Sequence, residues 1–270
     1  MSTENHRYLL FSDAHQVETH WFDAVGEHAV RERVNTIIFL GDIDGLEGFK
    51  GLLSIKSIAQ TNGIRIKFIL GNHDYCWGKF VEGYVSAEKI PPEFKSMLVP
   101  ELTRESVQRD QILDLFHSMK VSHEESQMHF RHALPPSLIN KNALNDSEFQ
   151  EQCKKPVFNR SLLKSRFWAA LQSPGFDGKH EEEVRRTILQ GLKNQETKCL
   201  FYGHDHRSGR VSTLTQNTIV KHQCFKNGVI IPDQTPALIH IPAFEKEERC
   251  ITMVEKSDRG IEVNLTELGG

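Results

Sequence analysis

Four apolar runs in this sequence each end in aspartate, histidine or asparagine. Each run has the length and the residue types of a buried β-strand. The runs and the polar residues that follow them are 8–12 with Asp13 and His15, 36–40 with Asp42 and Asp44, 64–70 with Asn72, His73 and Asp74, and 199–202 with His204 and His206. In open α/β sheets, ligands bind at the carboxyl ends of the strands. We therefore expect these polar side chains to meet at one site.

The segments between the first three runs have the spacing of helices. Apolar residues recur at helical intervals over 17–33 and 48–59, and Asn62-Gly63 is typical of the end of a helix. Strands and helices that alternate in this way form a parallel sheet. Residues 7–70 are therefore predicted to be a βαβαβ unit.

The rest of the chain is predicted to continue with helices and then with short strands. The predicted helices are 106–119, 162–171 and 181–193, and the predicted strands are 126–131, 218–224, 237–241, 250–254 and 260–264. The sequence contains no internal repeat and no linker. We interpret 1–270 as one domain with helical insertions at about 76–125 and 137–180.

Composition excludes some classes of protein. A net charge of -3 argues against extended electrostatic contact with nucleic acid. The five cysteines have no Cys-x-x-Cys spacing, and no signal peptide is evident, so we expect reduced thiols in a cytoplasmic protein. No apolar run is long enough to span a membrane.

The residues at the strand ends are of the types that bind divalent metal ions. Asp13 and His15 are two positions apart, so both side chains can converge where the chain leaves the strand. Carboxylate with imidazole suits manganese, iron, zinc or nickel. Asp42 has two oxygens and can bridge two cations. Asn72 supplies a neutral oxygen.

Further histidines are expected to contribute. His204 and His206 follow Gly203, and His132 follows the predicted strand 126–131, with His129 as an alternative. Each motif also has an ordinary explanation. Asp-x-His occurs by chance, and Gly-Asn-His-Asp is typical of a turn whose Asn and Asp cap the next segment. All four motifs follow apolar runs, and this combination favours a metal site.

In this order, the motifs resemble those of the calcineurin-like metallophosphoesterase superfamily. They are Asp13-x-His15, Gly41-Asp42, Gly71-Asn72-His73-Asp74, a middle histidine and Gly203-His204-x-His206. The resemblance covers 7–75, 126–136 and 198–265. It implies an α/β fold, a four-layer αββα sandwich of two mixed sheets, with two divalent metal ions at the strand ends. Manganese is the expected metal, and iron, nickel and zinc are alternatives.

The resemblance also implies a role for each residue. One metal would be held by Asp13, His15, Asp42 and His206, and the other by Asp42, Asn72, His132 and His204. His73, oriented by Asp74, would protonate the leaving group. Hydroxide activated by the metals would attack phosphorus directly, without a covalent intermediate.

The second motif departs from the superfamily pattern. Many members have Gly-Asp-x-x-Asp followed by arginine, whereas here the second acid, Asp44, comes one place early and position 45 is glycine. Arg160 and Arg166 are candidates for binding the substrate phosphate instead. Solvated helix charges are an equal alternative for both. The helical insertion is similar to that of phosphoprotein phosphatases and symmetrical dinucleoside tetraphosphatases.

These observations predict a metal-dependent phosphatase. The expected substrate is a phosphomonoester or nucleotide, carried by a small molecule, a nucleotide or a phosphoprotein. One alternative is a phosphodiesterase of cyclic nucleotides or nucleic acid, and another is a catalytically weak protein-binding scaffold. The presence of His73 and of every expected ligand type favours catalysis.

Overall fold

Two six-stranded sheets pack face to face between helices. A computed structural model describes residues 5–15, 17–86, 88, 106–134, 145–159, 162, 178–204, 209–215, 218–223, 225, 227–244 and 249–268. The strands are β1 (His6–Phe11), β2 (Thr36–Phe39), β3 (Arg65–Phe68), β4 (Ser122–Glu125), β5 (Met128–Arg131), β6 (Cys199–Tyr202), β7 (Arg210–Thr215), β8 (Thr218–Gln223), β9 (Val229–Pro232), β10 (Ala237–His240), β11 (Cys250–Ser257) and β12 (Gly260–Glu267). The helices are α1 (Thr19–Arg31), α2 (Gly45–Thr61), α3 (Asn72–Val81), α4 (Ser106–Ser118), α5 (Asp146–Lys154) and α6 (Gly178–Lys193).

Both sheets are mixed. The first has the order β3-β2-β1-β11-β12-β9, and β1, β2 and β3 in it are parallel, which confirms the βαβαβ prediction. The second has the order β4-β5-β6-β10-β7-β8, and β5, β6 and β10 in it are parallel. Parallel strands that lie side by side end at the same edge of a sheet, so each sheet brings the ends of several strands together.

Burial along β1 shows how the layers arise. Leu9 and Phe11 belong to an apolar cluster with residues of α1 and α2, whereas Tyr8 and Leu10 belong to a cluster between the two sheets. All four side chains are fully buried. Because both faces of the strand are covered, its sequence is continuously apolar instead of alternating.

The second sheet is covered on both faces in the same way. Phe201 packs into the cluster between the sheets, while Leu200 and Tyr202 pack with Ile188 and Leu192 of α6. The layers therefore run from α1 and α2, through the first and second sheets, to α6. This arrangement confirms the predicted four-layer αββα sandwich.

Elements that carry weak local signals were not predicted. They are β4, β7, β9, α3 and α5. In β4 the sequence Ser-His-Glu-Glu has no apolar alternation, and the strand is held by antiparallel pairing with β5. Apart from Leu162, the predicted helix 162–171 lies outside the described residues. Among the described helices, none is long and apolar enough to cross a membrane.

A buried ion pair fixes α5 against β5. Arg131, at the end of β5, is only 4% exposed, and its guanidinium contacts the carboxylate of Asp146 at the start of α5. His129 Nε2 lies 3.2 Å from the other oxygen of Asp146. Burial would raise the pKa of Asp146, but hydrogen bonding by His129 and the charge of Arg131 hold it below the usual carboxyl range. Arg131 and His129 therefore stabilise the ionised carboxylate.

Asp146→Ala is expected to lower the free energy of unfolding by about 2 kcal/mol, because it leaves the Arg131 guanidinium buried without its carboxylate. The effect is present above about pH 4 and shrinks as the pH falls, since the folded pKa of Asp146 lies below its unfolded value. Urea titrations at pH 7 and pH 3 measure the change in the free energy of unfolding and its dependence on pH. Glu151→Ala, on an exposed residue of the same helix, is the matched control. Equal effects of the two substitutions would contradict the assignment.

Candidate metal centre

The carboxyl ends of five strands bring the predicted ligands together. Asp13 follows β1, Asp42 follows β2 and Asn72 begins α3 after β3, while His132 and His204 follow β5 and β6 of the second sheet. Asp13, Asp42 and His132 are each 1% exposed. The site therefore lies where the ends of the two parallel strand groups face each other.

The backbone is strained at three of these residues. Asp13, Asp42 and His204 have φ angles of 53°, 68° and 69°. These angles lie in the left-handed region, which residues other than glycine rarely adopt. Each such residue costs about 1–3 kcal/mol and persists only where the surrounding structure enforces it. The buried strands that precede these residues supply that constraint.

Two glycines permit the close approach of these loops. A methyl group at position 71 would overlap the carboxylate of Asp42, and one at position 203 would overlap Ser12 Oγ and crowd the carboxylate of Asp13. The glycines in the Gly-Asn-His-Asp and Gly-His-Asp-His motifs are thus required by packing between loops. This constraint acts between residues that are distant in sequence.

His132 is the meeting point of the predicted second ligand set. Its Nε2 lies 2.9 Å from His204 Nδ1, 3.1 Å from Asn72 Oδ1 and 3.1 Å from Asp42 Oδ2. Its Nδ1 lies 2.9 Å from the carbonyl oxygen of Leu40, to which it can donate a proton. That bond would orient the ring with Nε2 toward the other predicted ligands, the arrangement usual for metal-binding histidines. The alternative, His129, lies beside Asp146 instead.

Asp42 lies between two histidines. Its Oδ2 is 3.1 Å from His132 Nε2 and 4.0 Å from His15 Nε2, while its Oδ1 accepts the backbone N–H of His73 at 2.9 Å. Burial would raise the pKa of Asp42, but the neighbouring histidines, above all His132, hold it well below the usual carboxyl range. The geometry gives Asp42 a position from which it can bridge two cations.

Asp13 is held by hydrogen bonds from both sheets. Its Oδ2 accepts from Ser12 Oγ and, at 2.8 Å, from the backbone N–H of His204. The ends of β1 and β6 are therefore fixed to one another through this carboxylate.

Asp44 contacts two histidines at once. Its Oδ1 lies 3.0 Å from Nδ1 of His15 and 2.9 Å from Nδ1 of His73, and the centroids of the two imidazole rings are 4.4 Å apart. Burial opposes ionisation of Asp44, but hydrogen bonds with His15 and His73 lower its pKa. Burial would lower the pKa of His15, but Asp44 and the other carboxylates raise it to about 9. Asp44 was not among the predicted site residues, although the Gly-Asp-x-Asp spacing was a signal for it.

The contacts of Asp74 differ from those that its predicted role would need. Asp74 is fully buried, and its carboxylate accepts the backbone N–H groups of Gly71, Asp42 and Ile43 at 2.7–3.0 Å. Burial, together with the charge of Asp42, raises the pKa of Asp74 to about 6. Asp74 thus ties the β3–α3 loop to the β2–α2 loop. The carboxylate at the imidazole of His73 is Asp44.

The donor set fits divalent cations. One atom each from Asp13, Asp42, His132 and His204 lies within 4.8 Å of the others, and a second such group is formed by His15, Asp44 and His73. Carboxylate oxygens and imidazole nitrogens are the ligand types that manganese, iron, zinc and nickel bind. Three of the predicted site residues, His206, Arg160 and Arg166, lie outside the described residues.

Comparison with known proteins rests on structure alone. No protein-family profile matches the sequence, and no curated protein matches it. A cold-active protein-tyrosine phosphatase of the psychrophile Shewanella sp. aligns with 96% of this chain and 80% of its own, at 12% identity and a TM-score of 0.53. Another structure of a cold-active protein tyrosine phosphatase gives 10% identity over 96% of this chain and 78% of its own, with a TM-score of 0.54.

A dimetal phosphatase from Danio rerio also aligns, with 98% of this chain and 99% of its own covered, at 14% identity and a TM-score of 0.40. At such identities a structural likeness informs the fold and not the activity. The two six-stranded sheets, the flanking helices and the likeness to the cold-active phosphatases show that this chain has the fold of the calcineurin-like metallophosphoesterases.

Proposed function

We propose that this protein is a dinuclear metal-dependent phosphatase that hydrolyses a phosphomonoester or a nucleotide. The observation that supports the proposal best is the position of Asp42 Oδ2, 3.1 Å from His132 Nε2 and 4.0 Å from His15 Nε2. A carboxylate between two histidines of separate ligand sets is placed where it could bridge two cations. The first set would be Asp13, His15 and Asp42, with His206 as a further candidate, and the second would be Asp42, Asn72, His132 and His204.

Two divalent cations in these sets would neutralise charge on the phosphoryl oxygens and would lower the pKa of a bound water. The protein holds the ligands in position and keeps water away from them. Asp13, Asp42 and His132 are almost completely buried, and their hydrogen bonds to Ser12, the backbone of His73 and the carbonyl of Leu40 fix their orientation. Ligands fixed in this way need little rearrangement when a substrate binds.

We assign proton donation to His73, positioned by Asp44. His73 is partly exposed, whereas Asp44 is 6% exposed in its side chain. A hydrogen bond from Nδ1 to the Asp44 carboxylate would orient the imidazole so that Nε2 could give a proton to a leaving alkoxide. Asp44 also contacts His15, so one carboxylate orients both a proton donor and a metal ligand.

The chemistry is tested by turnover with defined metals. The apoprotein loaded with manganese, nickel, zinc or iron should hydrolyse p-nitrophenyl phosphate much faster than bis-p-nitrophenyl phosphate, because the proposed substrate is a monoester. Preference for the bis-ester would favour a phosphodiesterase. Absence of turnover with both substrates and every metal would favour a protein-binding scaffold and would reject the proposal.

Asp42→Asn should lower the bound metal from two ions per chain to one or none, since an amide oxygen carries no charge with which to bridge cations. Metal content after gel filtration, measured by plasma mass spectrometry, tests this. Asp110→Asn, on an exposed aspartate of α4, is the matched control and should keep both ions. An unchanged stoichiometry in the Asp42 variant would contradict the bridge.

His73→Asn should reduce kcat by about 10²–10⁴-fold for an alkyl phosphate and much less for p-nitrophenyl phosphate, whose leaving group needs no proton. Asp44→Asn at saturating metal should show the same dependence on the leaving group. Asp74→Asn should instead lower the free energy of unfolding by about 1–3 kcal/mol, because its carboxylate holds three backbone amides. The assignment fails if the Asp74 variant, and not the Asp44 variant, discriminates between the two leaving groups.

A further inference from the structure

A groove along the edge of the first sheet lies outside the candidate metal centre. Its volume is about 550 Å³, and β3 forms its floor. Helix α2 contributes Lys56 and Gln60 on one side, and β4 contributes His123 on the other. Because β3 and β4 are the edge strands of their sheets, the groove follows an open side of the sandwich.

The backbone of β3 points hydrogen-bonding groups into this groove. The N–H of Arg65 donates to the carbonyl of Asn35 at 3.1 Å, and the N–H of Ile69 donates to that of Phe39 at 2.8 Å. Residues 65, 67 and 69 therefore bond to β2. Because a strand alternates, Ile66 directs its N–H and its C=O away from β2 and into the groove.

The open stretch ends at Lys120. The N–H of Lys120 donates to the carbonyl of Phe68 at 3.0 Å, and the N–H of Leu70 donates to the carbonyl of Lys120 at 2.8 Å. At the other end, the N–H of Ile64 donates to the carbonyl of Ala59 at 2.9 Å, so the open stretch among the described residues lies between Ile64 and Phe68. The edge therefore has room for a further strand of about four residues, a length of about 13 Å.

The groove is strongly basic. Among the described residues, its lining includes Arg65, Lys56, Lys67 and Lys120 and no acidic residue. Arg65 has an ion-pair partner, Glu125, at 2.7 Å. Within the described part of the chain, the three lysines take part in no ion pair. The groove therefore carries positive charge that the described residues leave uncompensated.

The charges lie on both sides of the open edge. Ile66 and Phe68 pack in the cluster that contains residues of α1 and α2, so Arg65 and Lys67 point to the opposite face, toward β4. Lys56 belongs to α2, on the first face. A strand added to β3 would place successive side chains alternately toward Lys56 and toward Lys67, so adjacent acidic residues on it would each meet a lysine.

We propose that this groove binds an extended acidic segment of a partner protein, which pairs with β3 as an additional strand. A second copy of this chain would bring the same lysines to the same edge, and lysines on an edge strand oppose such pairing. A nucleic acid would not use the N–H and C=O groups of Ile66, and the net charge of -3 disfavours it.

The test uses a fluorescein-labelled peptide of eight residues that contains two Glu-Asp pairs separated by valine, with a control peptide in which Gln and Asn replace the acids. The acidic peptide should bind saturably, and Lys67→Glu/Lys120→Glu should raise its Kd by about tenfold or more. Lys193→Glu, on an exposed lysine of α6, should leave Kd unchanged. Circular dichroism spectra verify that each variant is folded.

Backbone pairing is tested separately. Bound peptide should slow hydrogen exchange at the amide of Ile66 by about tenfold or more. N-methylation of one alternate set of peptide amides should abolish binding, and methylation of the other set should preserve it. The proposal is overturned by absence of saturable binding, by equal affinity for the neutral peptide, by binding without protection of Ile66, or by tighter binding of oligo-dT than of the acidic peptide. Concentration-dependent self-association of Lys67→Ala/Lys120→Ala without peptide binding would also overturn the proposal. It would show that the lysines only prevent β3 from pairing with another copy of this chain.

Discussion

The carboxylate of Asp42 is the contact on which the candidate centre depends. One oxygen accepts the N–H of His73 at the start of α3, and the other lies beside His132 at the end of β5. Asp42 thus joins the first sheet, helix α3 and the second sheet. A carboxylate that is 1% exposed remains ionised only where positive charge or hydrogen-bond donors compensate for lost water. The histidines supply part of that compensation, and divalent cations would supply the rest.

The same strands provide the apolar core and the polar site. Their buried residues fill the clusters on both faces of each sheet, and the next residue or two turn out of the sheet in left-handed conformations at Asp13, Asp42 and His204. Packing of the strands is what holds these conformations in place. A well-packed core therefore stabilises an arrangement of buried polar groups that would be unfavourable in isolation.

The local sequence predicted the strands of the βαβαβ unit and the residues at their ends, because hydrophobic periodicity and motif spacing are local properties. It placed Asp74 beside the imidazole of His73, where the structure has Asp44. Asp74 is adjacent in sequence, but helix α3 turns its side chain toward the loop amides, and Asp44 reaches the imidazole from another loop. The choice between His129 and His132 also depends on tertiary structure. The position of β5 in the second sheet places His132 beside Asp42 and His129 beside Asp146.

The basic groove was not visible in the sequence. Lys56, Lys67 and Lys120 lie on three separate elements, and their charges meet only because β3 is left at the edge of the first sheet beside β4. By itself, the sequence determined which side chains are available for metal binding, since residue type and strand position are encoded locally. Only the tertiary structure decided which of them face one another, because contacts between strand ends depend on sheet order, backbone strain and loop packing across nearly the whole chain.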